Sequence, residues 1–90
     1  MRPSIKKKVI RRLKIITGQI RGLERMVERE EYCVNIIYQS QAIKEALAGI
    51  EDLILENHLS THVIEQITSG DKNKAIKEIL SIYKLSKKSK

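Results

Sequence analysis

Apolar residues recur along this chain at helical spacing. In the first third, Val9, Leu13, Ile16, Ile20, Leu23 and Val27 follow one another at steps of four and three, which gathers them into one stripe on a helix. The pattern predicts a helix from about Ser4 to Arg29, capped by Ser4 with Pro3 just outside. Gly18 and Gly22, four apart within it, leave a groove where another backbone can approach. Glu30, Glu31 and Tyr32 carry no stripe residue and read as a tight connection. A second stripe, Ile36, Ser40, Ile43, Leu47, Ile50 and Ile54, is flanked by Ile37, Leu53 and Leu55 and continues through His58 and His62 toward Ile67. A helix of about 30 residues or more is too long for one small globule, and long striped helices pair with another helix. Ala42, Ala46, Ala48 and Gly49 near its middle favour close packing. Ser69-Gly70-Asp71 ends it, and a short third helix carries Ala75, Ile76, Ile79, Leu80 and Tyr83 on one side. The expected organisation is one helical domain over residues 1–85 and a disordered basic tail over 86–90. The pattern shows no strand-type alternation and no internal repeat. The expected fold class is all-α, three helices per chain joined in an oligomeric bundle.

Composition explains why an oligomer is expected. The chain has 90 residues, no Phe, no Trp and three Tyr (Tyr32, Tyr38 and Tyr83), so its core is thin. Chains of this size are marginal alone unless a disulfide, a metal or a partner subunit helps. The single cysteine, Cys33, excludes an internal disulfide and fits a reducing compartment, the cytoplasm. No apolar run approaches the roughly 20 residues of a membrane span, and no signal-peptide core follows the basic N-terminus. An enzyme acting on a small-molecule substrate is not expected: there is no Ser/His/Asp set, no phosphate-cradling glycine loop and no length for a large pocket.

The net charge of +7 is unevenly placed. Residues 1–29 hold ten basic residues against two acidic ones, residues 30–70 one against seven, and residues 71–90 seven against two. Basic residues on an ordered helix point to a polyanion, usually DNA or RNA; a solvated lysine-rich face is the plainer alternative. Arg11, Arg12, Lys14 and Arg21 are the expected DNA contacts. For Arg21 and Arg25 the competing role is pairing with Glu24 or Glu28 at helical spacing, worth about 0.3–0.5 kcal/mol each.

Three further residues carry chemistry. His58 and His62, four apart, share a helix face and can bind one ion, or can be two surface imidazoles. Cys33 is a candidate thiolate ligand, although a lone cysteine more often packs as a small apolar residue. Cys33 and His58 are 25 residues apart, about 37 Å along one helix, so they cannot share an ion within a chain. Two copies of the long helix laid antiparallel and crossing near Ala46 and Leu47 would bring Cys33 of one beside His58 and His62 of the other, giving a homodimer two equivalent sites. A thiolate suits Cu(I), and the imidazoles widen the choice to Zn(II), Ni(II) or Co(II).

At this point the residues resemble a known family. Arg12-Leu13-Lys14-Ile15-Ile16-Thr17-Gly18-Gln19-Ile20-Arg21-Gly22-Leu23 looks like the RL-x-R-I-x-GQ-x-RG signature of the CsoR/RcnR family of copper- and nickel/cobalt-sensing repressors, with Ile15 where the signature has Arg. Tyr32-Cys33, Gln39, Ala42-Ile43-Lys44 and His58-Leu59-x-x-His62-Val63 follow in the right order, so the resemblance covers about Lys6 to Tyr83. It implies antiparallel four-helix-bundle dimers that assemble into homotetramers, no helix-turn-helix, and repression of metal-export genes relieved when metal weakens operator DNA binding. It also implies metal ligands at Cys33, His58 and His62, outer hydrogen-bonding partners at Tyr32 and Glu78, and DNA contacts at Arg12 and Lys44. Copper sensors have Cys at the place of His62. Nickel/cobalt sensors pair Cys-His-His with an N-terminal histidine, where this chain has Met1-Arg2-Pro3. A Cu(I)-responsive repressor controlling copper export is therefore the leading expectation, and a Ni(II)/Co(II) or Zn(II) sensor the second. The rivals are a metal-independent helical oligomer that coats DNA and a protein-interaction bundle that lysines merely keep soluble.

Overall fold

The structure, a computed structural model, describes residues 1–88. Helices α1 (Pro3–Glu28), α2 (Cys33–His58), α3 (Ile64–Thr68) and α4 (Lys72–Lys88) account for most of it, and a π-helical turn, Leu59–Val63, joins α2 to α3. The chain is all-α, as the periodicity predicts. The long second helix is α2, the π turn and α3 in unbroken succession. Helix α4 continues through Ser86 to Lys88, so that part of the segment expected as a disordered tail is helical; residues 89 and 90 lie outside the described residues.

The start of α1 differs from the expected one. Arg2 is the N-cap, Pro3 sits in the first turn, and no side chain caps the end, so Ser4 lies inside the helix. Proline has no N–H to leave unsatisfied there and its fixed φ is already helical, so Pro3 suits the first turn and the helix starts ahead of Ser4. Two helix ends share one closing motif. After α1, Glu30 N–H bonds Val27 C=O and Glu31 N–H bonds Met26 C=O; after α3, Gly70 N–H bonds Ile67 C=O and Asp71 N–H bonds Gln66 C=O. This double bond pattern requires a left-handed residue after the cap. Gly70 takes it at φ 91°, whereas Glu30 takes it at φ 54° with a side chain attached.

The chain forms two compact units, Met1–Glu56 and Asn57–Lys90. In the first, Val9 and Ile16 of α1 are buried with Ile43 and Ile50 of α2, and Ile5, Leu23, Ala46 and Leu53 pack around them. Each stripe is thereby split. The members on a seven-residue step, Val9, Ile16 and Leu23 against Ile43 and Ile50, face one another. Leu13, Ile20 and Val27 of α1 and Leu47 and Ile54 of α2 remain exposed. Gln39 Nε2 donates to the Gln19 carbonyl at 3.5 Å, tying α2 to α1. Part of the small-residue stretch serves this contact: a Cβ on Gly49 would sit 3.5 Å from the Arg12 guanidinium.

In the second unit Asn57, Val63 and Ala75 are buried. The π turn coincides with two hydroxyls bonded to one backbone carbonyl. Thr61 Oγ1 donates to the Asn57 carbonyl at 2.6 Å and Ser60 Oγ to the same oxygen at 3.3 Å. Hydroxyls that bond back to a preceding carbonyl compete with the helical ladder and bend it, and such one-turn widenings recur at functional sites.

Candidate metal centre and basic surface

His58 is the last residue of α2 and His62 lies in the π turn. Their ring centroids are 5.4 Å apart with planes tilted by 30°, so the pair shares one face as its spacing predicts. Glu78 reaches His58 from α4, its Oε2 2.7 Å from His58 Nε2. Gln66 of α3 places its amide Nε2 at 3.5 Å and 3.4 Å from the two Glu78 oxygens. The pKa of the Glu78 carboxyl is lowered from its ordinary value, first by the hydrogen bond from His58, then by that from Gln66, against a smaller opposing effect of desolvation and with minor help from the Lys74 cation. An ionised carboxylate only accepts, so the proton in the 2.7 Å contact belongs to His58 Nε2, and in the neutral ring Nδ1 is then the nitrogen that carries a lone pair. Metal-binding imidazoles are held this way: one ring N–H on a carboxylate, the other nitrogen toward the ion.

Cys33 opens α2 as a free thiol that is exposed in the single chain. Tyr32, just before it, is also exposed. Among the described residues of one chain, no three His, Cys, Asp or Glu side chains converge as a metal-holding group. The structure pairs His58 with His62 through their rings and with Glu78 through a hydrogen bond, and places Tyr32 and Cys33 at the start of α2. Sequence reasoning missed Gln66 and the π turn. The signal for the first was available, because Gln66 follows His58 and His62 at the same step of four; for the second it was the Ser60-Thr61 pair.

Arg11, Arg12, Lys14 and Arg21 on α1 and Lys44 on α2 are all exposed. The competing pairing of Arg21 or Arg25 with Glu24 or Glu28 is not formed among the described residues, so these cations are free to meet an external anion.

The chain matches the family model described as metal-sensitive transcriptional repressor over residues 5–84. It belongs to that family. Members regulate transcription and are not enzymes. This family member is 40% identical over 84 residues to the copper-sensing transcriptional repressor CsoR of Bacillus subtilis (strain 168), covering 93% of this chain and 83% of the relative. It is 31% identical over 81 residues to the copper-sensing repressor CsoR of Mycobacterium tuberculosis (strain ATCC 25618 / H37Rv), covering 90% and 68%. Its fold matches the crystal structure of the copper-sensing repressor CsoR with Cu(I) from Geobacillus thermodenitrificans NG80-2 at a TM-score of 0.86 and 32% identity, over 94% of this chain and 88% of that one. Among the described residues, no helix of this repressor is long and apolar enough to cross a membrane.

Proposed function

We propose that this repressor responds to Cu(I). It holds operator DNA through the basic residues of α1 and α2 and lets go when metal binds between Cys33 of one protomer and His58 and His62 of its partner, which would place copper-export genes under its control in the cytoplasm. The observation that carries this reading is the posture of His58: its Nε2 is held 2.7 Å from Glu78 Oε2, which leaves Nδ1 as the nitrogen for a metal, with the His62 ring beside it at 5.4 Å. Cys33 supports it, because a cysteine thiolate is the soft donor that Cu(I) prefers. The exposed half-stripes, Leu13, Ile20, Val27, Leu47 and Ile54, call for an apolar partner, and a second copy laid antiparallel as a four-helix bundle meets that need while delivering each sulfur to the other protomer's imidazoles. Pairing of two such dimers gives the homotetramer. The names of the relatives favour copper. His62, an imidazole where copper sensors carry a second sulfur, favours borderline ions and keeps Zn(II), Ni(II) or Co(II) as the second reading.

Bound metal would tie the start of one α2 to the end of its neighbour and fix their angle. The protein's own share is prior alignment. Glu78 sets the His58 ring by accepting from it, and Tyr32, adjacent to Cys33, brings a phenolic hydroxyl to the shared site. A ligand moves a two-state equilibrium only by its differential affinity for the two states, and a coupling of about 1–3 kcal/mol is typical. The test is an operator-binding titration with and without Cu(I), Zn(II), Ni(II) and Co(II). Release by Cu(I) at the lowest free concentration supports the proposal. Salt-sensitive DNA binding indifferent to every metal would leave a DNA-coating oligomer instead.

A further inference from the structure

We propose that Gln66 is a positioning residue of the metal site: its amide locks the Glu78 carboxylate in the plane that holds His58, and so sets metal affinity without touching metal. The inference deepens the metal site proposed above and rests on it. His58, His62 and Gln66 follow at steps of four along α2, the π turn and α3, so an amide completes the face that carries the imidazoles. Gln66 Nε2 lies 3.5 Å from Oε1 and 3.4 Å from Oε2 of Glu78, straddling the carboxylate, while His58 bonds Oε2 alone at 2.7 Å. A carboxylate with one partner can turn about its last bond; a second donor set across both oxygens opposes that rotation. The backbone of Gln66 is itself pinned, since its carbonyl accepts from Asp71 N–H at 2.7 Å and Ser69 Oγ at 3.0 Å.

The other end of the amide shows which interaction dominates. Gln66 Oε1 is buried with no hydrogen-bond partner, a condition native structures rarely tolerate. Turning the amide over would aim Oε1 at an acceptor-only carboxylate, lone pair against lone pair. The amide therefore keeps its hydrogens on Glu78 and leaves its oxygen unmet.

Gln66→Met keeps the length and helix preference of the side chain and removes both amide atoms. In the apo protein, ¹⁵N imidazole spectra of wild type should show His58 as the Nε2–H tautomer, and Gln66→Met should add an Nδ1–H population. Cu(I) affinity, read by competition with a colorimetric chelator, should fall about tenfold. In a Glu78→Gln background the same substitution should change affinity by less than about twofold, because its route is already cut. Gln66→Glu, equal in shape but a carboxylate, should lose at least as much and serves if Gln66→Met does not fold. An unchanged His58 tautomer with wild-type Cu(I) affinity overturns the proposal, as does a tenfold loss that persists in the Glu78→Gln background. Wild-type protein that binds no Cu(I) refutes the proposed function, and the apo imidazole spectra then still decide the role of Gln66.

Discussion

If the metal site spans two protomers, two broken proteins should repair each other. Cys33→Ala removes the sulfur from both sites of a dimer, and His58→Ala/His62→Ala removes the imidazoles from both. In a mixed dimer, the sulfur of the second variant meets the imidazoles of the first and makes one intact site, while the other site lacks all three donors. With random pairing half the dimers are mixed, so an equimolar mixture should hold about a quarter of the wild-type Cu(I) per protomer, and each parent close to none. The value depends on α2 being one continuous helix with Cys33 at its first residue and His58 at its last. At about 1.5 Å per residue the two lie roughly 37 Å apart, whereas ligand atoms sit about 2.0–2.3 Å from a metal such as zinc. The assay is anaerobic Cu(I) titration against a chelator after joint refolding, with native mass spectrometry counting mixed dimers. A mixture that stays at the parental level despite abundant mixed dimers refutes the shared site. Full tight binding by Cys33→Ala alone removes the sulfur from the mechanism altogether.

Other outcomes follow from particular contacts. Arg12→Ala should weaken operator binding at every sequence and make the dependence of log affinity on log salt shallower by about 0.9, the loss of one phosphate contact; an unchanged slope would take Arg12 out of the DNA interface. Ile16 is 3% exposed in the α1–α2 core, and Ile16→Ala should cost about 2–5 kcal/mol, read as a lower urea midpoint at fixed protein concentration. Gly70 and Glu30 occupy the same left-handed position after two helices, so Gly70→Ala should destabilise and Glu30→Gly stabilise, each by up to about 1–2 kcal/mol; equal melting temperatures for all three proteins would contradict the backbone argument.

The helices, their turns and the candidate ligands were legible in the sequence because each is a local property. Steps of three and four made α1, α2 and α4 visible, Ser69-Gly70-Asp71 marked the end of α3, and Cys33, His58 and His62 announced themselves by residue type and spacing. The resemblance supplied Glu78, twenty positions from His58, which no local pattern could attach to it. Local rules failed where two of them competed. Proline's first-turn preference moved the helix start one residue ahead of the serine, and a π turn, where Ser60 and Thr61 both bond the Asn57 carbonyl, interrupts a stretch that reads as unbroken helix. Tertiary structure alone decided which half of each stripe is buried, which nitrogen of His58 is spent on Glu78, and that Gln66 stands behind both. Periodicity states that a face is apolar or polar, and every helix of the same pattern satisfies it equally. Choosing among such faces takes the packing of side chains far apart in sequence, where a single oxygen can serve an imidazole and an amide at once.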